Sequence, residues 1–205
     1  MQIQVWASSN GGMFSSNSLR NQIDDLLLPD TSNSSETLQN NLIPQKIGVF
    51  IWSAQRNRLP VRLELDKKGI DLDSVRCSMC DNALESIDHV LQQCSFANDV
   101  WCRFFRWWGL SYPIGISLND LVQGGSFFQN DDVLKKVYQA AVWVCVYKIW
   151  QNRNNKIFRQ KNCIAAMLIQ EVQIKSFEWI TIRLKKKSIS WLQWLAKPSI
   201  YDDHG

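Results

Sequence analysis

The sequence predicts a mainly α-helical protein built around one small Cys/His loop, with minor β-structure near the N-terminus. Three observations carry that expectation. Apolar residues recur at helical spacing in several segments. Cys77, Cys80, His89 and Cys94 crowd into one short stretch. Residues 2–8 alternate weakly in polarity and run into the turn signal Gly11-Gly12.

The elements follow in order. Leu19, Ile23, Leu26 and Leu27 lie on one helical face, so residues 1–28 are read as a lead-in with a short strand and a helix. Residues 29–43 are polar and read as a linker. Pro44 is expected in the first turn of the next helix, which carries Phe50, Ile51, Ala54 and Leu59 and is expected to end at Pro60. After the Cys/His loop, Ser95 is expected to cap a helix with Val100, Phe104, Trp107 and Trp108 on one face, closed by Gly109. Ser117 and Asp120 resemble a capping box. Asp131-Asp132 suit the start of a long helix that reaches about Arg159. Ile164, Leu168, Val172, Trp179 and Ile182 suggest another helix, and Ser190–Trp194 a last turn or edge. The expected domains are the lead-in, the linker, a zinc-binding domain over 44–125, and a helical basic region over 126–205.

Length and composition set limits. With 205 residues the chain has room for one large or two small domains, not for a multi-domain polymerase. Hydrophobic residues at 45% and charged residues at 20% describe a folded protein. The most apolar run, Ala140–Tyr147, stops at Lys148, whereas a membrane span needs about 20 apolar residues. No signal-peptide pattern is visible, so the expectation is a soluble intracellular chain whose Cys are thiols or metal ligands rather than disulfides.

The spacing Cys77-x2-Cys80-x8-His89-x4-Cys94 is that of a metal knuckle. A Cys-x2-Cys turn converges two thiolates on one ion, and a His and a Cys returning from a helix start complete a tetrahedron. The expected cofactor is structural Zn²⁺. A closed Cys₃His shell leaves no position for a catalytic water. His204 stands in the C-terminal tail, so His89 is the imidazole expected in the shell. Cys102, Cys145 and Cys163 fall on apolar helical patterns and read as core thiols.

Charge is unevenly spread. Residues 1–144 hold 12 Lys/Arg against 15 Asp/Glu, whereas residues 145–198 hold 11 against two. A basic C-terminal third suits a polyanion as well as a solvated helix face. The metal loop itself is acidic through Asp81, Glu85 and Asp88, a poor grip for phosphate, so the metal is expected to staple the fold. Expected nucleic-acid contacts are Arg56, Arg58, Arg62, Lys67, Lys68, Arg103 and Arg106 near the metal, and Arg153, Lys156, Arg159, Arg183, Lys185, Lys186 and Lys187 in the basic region. Of the ten Trp, Trp52, Trp101, Trp107 and Trp143 are expected in the core, while Trp191 and Trp194 stay open.

Ordered motifs carry a family resemblance. They are Phe50-Ile51-Trp52, Arg58-Leu59-Pro60, Leu65, Gly69-Ile70, Cys77/Cys80, Glu85-Ser86-Ile87-Asp88-His89-Val90, Cys94 and Trp101. Together they resemble the reverse transcriptase zinc-binding domain of plant LINE-type (non-LTR) retrotransposon polyproteins. The run from Trp6 to Leu19, the Trp150-x2-Arg153-Asn154-x3-Phe158 motif and the segments Ile174–Ile180 and Ile189–Leu195 extend the resemblance. It implies a domain downstream of a polymerase, binding template or target RNA or DNA, with the polymerase domain as a further partner and a nuclear location. No membrane and no small-molecule substrate are expected.

The chain is not expected to be an enzyme. Polymerase chemistry needs carboxylates converging on two metal ions. Asp24-Asp25, Asp131-Asp132 and Asp202-Asp203 read as caps or solvated charge, and none sits in a Tyr-x-Asp-Asp turn. The alternatives are a protein-interaction or scaffolding module, or a decayed retroelement fragment without selected activity.

Overall fold

The order of helices follows from where their caps fall. The computed structural model describes residues 40–124, 127–128, 130–184 and 189–199. Helix α1 (Gln45–Gln55) starts at Pro44, which sits at the cap rather than inside the first turn. It ends five residues before Pro60. Asn57 takes a left-handed φ of 53°, its N–H donates to the Ala54 carbonyl at 3.1 Å, and the Arg58 N–H reaches back to the Ser53 carbonyl at 2.9 Å. This paired 6→1 and 5→2 closure needs a left-handed residue, and Asn supplies it in place of the usual Gly. Helix α2 (Arg62–Lys67) is a short turn leading to the metal loop.

A single wide π-type turn, His89–Gln93, precedes helix α3 (Ser95–Trp108). Cys94, not Ser95, is the cap residue of α3, because its carbonyl already accepts the first helical bond, from the Asn98 N–H at 2.8 Å. Gly109 closes α3 in a left-handed conformation, as its position predicts. A Cβ there would also run into the Lys197 side chain.

Helix α4 (Leu118–Val122) begins at Ser117, whose hydroxyl accepts from the Asp120 N–H. The Asp120 carboxylate turns to that hydroxyl at 2.7 Å, so the reciprocal half of a capping box is replaced by a side-chain bond. Helix α5 (Asp132–Arg159) starts as predicted, with Asp131 accepting from the Leu134 N–H at 2.8 Å. Helices α6 (Ala165–Arg183) and α7 (Trp191–Ala196) follow, the latter with a full Ser190/Gln193 capping box. Among the described residues there is no strand, only one isolated antiparallel bridge between Arg76 and Leu84. The expected N-terminal strand and helix, and the expected linker as far as residue 39, lie outside the described residues; at the linker's end Asn40, Leu42 and Ile43 are buried, Asn40 donating to the Lys136 carbonyl of α5 at 2.9 Å.

Helix α5 is the axis of the core. Ala140–Val146 are all buried, the pattern of a helix covered on every side. It meets α1, α4, α6 and the π turn, while α3 packs on α6 and the π turn. The segments expected as a zinc-binding domain and a basic region therefore share one core. Six aromatic side chains, Trp101, Phe104, Phe105, Trp107, Trp108 and Tyr138, are almost fully buried within it. They meet largely edge-to-face, as Trp108 and Tyr138 do at 4.9 Å and 89°.

Buried indole N–H groups need acceptors, and four find backbone carbonyls. Trp107 donates to Trp194, Trp143 to Val122, Trp194 to Gln173 and Trp101 to Leu91, at 2.7–3.0 Å. Trp194 is thus core, while Trp191 is exposed. Trp52 departs from the expected core position. It is only half-buried, and the guanidinium groups of Arg56 and Arg58 lie 4.6 and 5.1 Å from its ring centroid.

Candidate metal centre

Three local structures bring the four ligands together. The Arg76–Leu84 bridge makes a narrow loop, tightened by the Cys77 N–H to the Ala83 carbonyl at 2.7 Å and the Glu85 N–H to the Val75 carbonyl at 2.9 Å. At its tip, the Asp81 N–H returns to the Cys77 carbonyl at 2.8 Å, with Asp81 left-handed at φ 57°. That fold aims the Cys77 and Cys80 thiols to one side.

The return ligands ride on the π turn. Its start is fixed by the His89 N–H donating to the Ser86 hydroxyl at 3.1 Å. The Cys94 N–H then closes on the His89 carbonyl at 2.7 Å, a bond spanning five residues. The x4 spacing thereby becomes one wide turn that places His89 and Cys94 beside each other. The Trp101 indole holds the turn from α3 through the Leu91 carbonyl.

All four ligand atoms lie within 4.8 Å of one another. Cys77 Sγ and Cys94 Sγ are 3.9 Å apart, and Cys80 Sγ is 3.2 Å from His89 Nε2. Zinc–sulfur bonds of about 2.3 Å in a tetrahedron put neighbouring sulfurs about 3.8 Å apart, so the donor set and its size fit Zn²⁺. With four protein ligands, the shell is a structural one.

The thiols are not equivalent. The Cys77 thiol donates to Cys94, and the Phe96 and Ala97 N–H groups at the start of α3 point to the same sulfur. These outweigh burial and lower the Cys94 thiol to about 7. Giving that hydrogen bond, together with burial, pushes Cys77 well up. A metal ion removes the shared proton and makes both thiolates.

Behind the ligands lies a residue that sequence reading treated only as loop charge. Glu85 is fully buried. Its Oε2 accepts from the Ser78 N–H inside the Cys-x2-Cys turn at 3.1 Å, and its Oε1 accepts from the Arg62 N–H at 3.0 Å and from Arg153 of α5. Burial alone would raise its pKa; the Arg153 hydrogen bond and charge, with the Ser78 and Arg62 N–H groups, outweigh that and hold the carboxyl below its ordinary range. Lys156, one turn on, donates to the Met79 carbonyl at 3.2 Å. The long helix therefore grips the metal loop at two points. The signal available in the sequence was the place of Glu85 in the Glu-Ser-Ile-Asp-His run, next to its metal ligand.

The expected nucleic-acid contacts separate into groups. Arg153 is corrected: only 3% of its side chain is exposed, because it neutralises Glu85. Lys156 is half-buried on the metal loop. Arg62 is half-buried and holds the Arg76 carbonyl at 2.9 Å. Lys67 pairs with Glu64 and Arg103 with Asp99 at the surface. Arg183 is exposed and bonds the Trp179 carbonyl. Arg56, Arg58, Lys68, Arg106 and Arg159 are exposed. Lys185, Lys186 and Lys187 lie outside the described residues, as does the tail with His204. Of the remaining thiols, Cys145 is fully buried, as expected, while Cys102 and Cys163 are half-buried.

Comparison with known families bears on this centre directly. Residues 14–101 match the family described as zinc-binding in reverse transcriptase. Over these residues the chain is similar to the zinc-binding domains of reverse transcriptases. The match starts upstream of the polar stretch and ends at Trp101, the residue that anchors the π turn. The chain is also similar to a putative ribonuclease H protein of Arabidopsis thaliana, 24% identical over 100 residues. That alignment covers 48% of this chain but 16% of the relative, so the chain spans only a small part of the relative's length. No solved structure matches the chain significantly. Among the described residues, no helix is long and apolar enough to cross a membrane.

Proposed function

We propose that the chain is a zinc-stabilised, nucleic-acid-binding accessory domain from the C-terminal part of a retroelement reverse transcriptase, working in the nucleus beside a polymerase domain. One observation carries this reading: the Cys₃His centre lies in the segment that matches the family described as zinc-binding in reverse transcriptase. The centre is a staple rather than a phosphate grip, since Asp81 and Asp88 are exposed on its loop. Contact therefore falls to flanking cations. Arg56 and Arg58 frame the half-buried Trp52, a combination suited to stacking on unpaired bases and to phosphate contact.

The test is binding of the zinc-loaded chain to single-stranded RNA and DNA over a salt series. Affinity that falls linearly with the logarithm of salt supports the reading. No binding at low salt, or binding indifferent to salt, overturns it.

A second reading has its own observation. Ile174 and Ile182 of α6, with Leu192 and Leu195 of α7, are exposed apolar side chains on neighbouring helices. They favour a protein-interaction surface, for which the polymerase domain is the expected partner. A chain that self-associates on a sizing column, and is relieved by the polymerase domain added in trans, supports it.

A further inference from the structure

A cleft of about 480 Å³ opens where the C-terminal half of α5 meets α1 and α6. It lies apart from the metal ligands. Its volume falls in the range of small-ligand sites, about 300–1,000 Å³. One wall is aromatic: Phe50 meets Tyr147 edge-on at 5.3 Å and Trp150 at 6.2 Å.

The polar lining divides into spent and unspent groups. Asn152 and Asn162 hydrogen-bond to each other at 3.1 Å, Asn154 accepts from Arg153, and Lys148 pairs with Glu171. In contrast, the side chains of Gln151, Asn155, Arg159 and Lys161 line the cleft with no hydrogen-bonding partner among the described residues. The rim is also held in place. The Lys161 N–H bonds the Asn155 carbonyl at 3.1 Å, and Asn152 takes the Cys163 N–H, so the segment after α5 is tied to the helix.

Two free amides, two free cations and an aromatic wall form one recognisable donor set. Amides read the hydrogen-bonding edge of a base, rings cover its apolar area, and cations take a phosphate. The cleft is too small for a base-paired stack. We propose that it binds one unpaired nucleotide, with the base toward Tyr147 and Trp150 and the phosphate toward Arg159 and Lys161. As a nucleotide within a strand, this rests on the nucleic-acid reading above. A free mononucleotide offers the same chemistry.

The test uses the full zinc-loaded chain, a 12-nucleotide single strand carrying 5-iodouracil, a duplex of equal length, and AMP. The expected result is ultraviolet crosslinking of the strand to Tyr147 or Trp150. Asn155→Ala and Lys161→Glu, both at solvent-accessible positions, should each weaken single-strand binding about tenfold; Asn155→Ala should leave duplex binding unchanged, and Lys161→Glu should weaken it less than single-strand binding. If the chain binds the strand but both variants match it and crosslinks map elsewhere, the cleft assignment is overturned while the nucleic-acid reading stands. If no strand binds but AMP does, and both variants weaken AMP, the cleft assignment holds for a free nucleotide and the nucleic-acid reading falls. If neither binds, both are overturned.

Discussion

Glu85 and Arg153 form a buried ion pair that joins the metal loop to the central helix across 68 positions of sequence. The carboxylate is shared between Arg153, the Arg62 N–H and the Ser78 N–H, so it fixes the Cys-x2-Cys turn from behind while the metal fixes it from the front. Removing one partner leaves the other charged, buried and unpaired, which costs about 3–5 kcal/mol. Arg153→Met should therefore destabilise the zinc-loaded chain by that amount in urea unfolding. Glu85→Gln should cost less, because its amide oxygen can still accept from Arg153, which loses its counter-charge but keeps a hydrogen-bond partner. Outer-shell support of this kind typically sets about 10–100-fold in metal affinity. Competition with a chromophoric chelator should show that loss in both variants.

The metal itself should be a condition of local folding. Its four ligands come from a loop tip, a π turn and a helix cap, and the tip that carries Cys77 and Cys80 has half-buried or exposed side chains from Ser78 to Leu84. Cys80→Ser or chelation should melt the segment from about Val75 to Trp101, with loss of near-ultraviolet dichroism as Trp101 leaves its Leu91 contact. Apparent zinc-binding energies of about 10–16 kcal/mol in zinc-finger peptides set the scale. An unchanged unfolding profile after chelation would refute a structural role. His89→Cys should keep metal better than His89→Ala, since it preserves four ligands, and metal stoichiometry after dialysis reads the difference.

The ligand set was legible in the sequence because metal geometry is local: four residue types at fixed spacing imply a closed shell. Helix starts at Asp131 and Ser117 were legible for the same reason, since each cap bonds within three residues. What lay hidden were contacts across long sequence separations. Arg153 looked like one more cation in a basic stretch, and only the packing of α5 on the metal loop shows its charge already used. The cleft was equally invisible, because Phe50 and Asn155 meet only through that packing. The end of α1 was misjudged because Pro60 is a familiar stop, whereas the left-handed Asn57 ends the helix earlier.

Acid should act through Glu85 in a way that can be separated from the metal ligands. Its folded pKa lies below its unfolded value, so its stabilisation is present above the unfolded pKa and is lost as pH falls through the folded one. Glu85→Gln lacks this titration. The stability difference between native chain and variant should thus be constant near neutral pH and shrink on acidification. Both chains carry the same four metal ligands, so comparing them at saturating zinc cancels the contribution of ligand protonation from the difference. A difference that stays constant down to strongly acid pH would contradict the assigned role.

Salt dependence should separate exposed cations from internal ones. Lys68 is exposed and Arg58 lies over the half-buried Trp52, whereas Arg153 is sealed against Glu85. Single-strand binding loses affinity with salt at a slope of about −0.7 per phosphate contacted. Lys68→Glu should weaken binding and flatten that slope by about one contact. Arg58→Ala should do the same and also reduce any preference for unpaired over paired strands, since it strips one guanidinium from the Trp52 platform. Arg153→Lys keeps the charge but offers a single point donor where the planar guanidinium bonds both Glu85 and Asn154. It should lower stability while leaving the salt slope of the folded fraction unchanged. Fluorescence anisotropy from about 20 to 300 mM salt, run well below each variant's unfolding midpoint, reads all three; a changed slope in Arg153→Lys would mean that this residue meets phosphate after all.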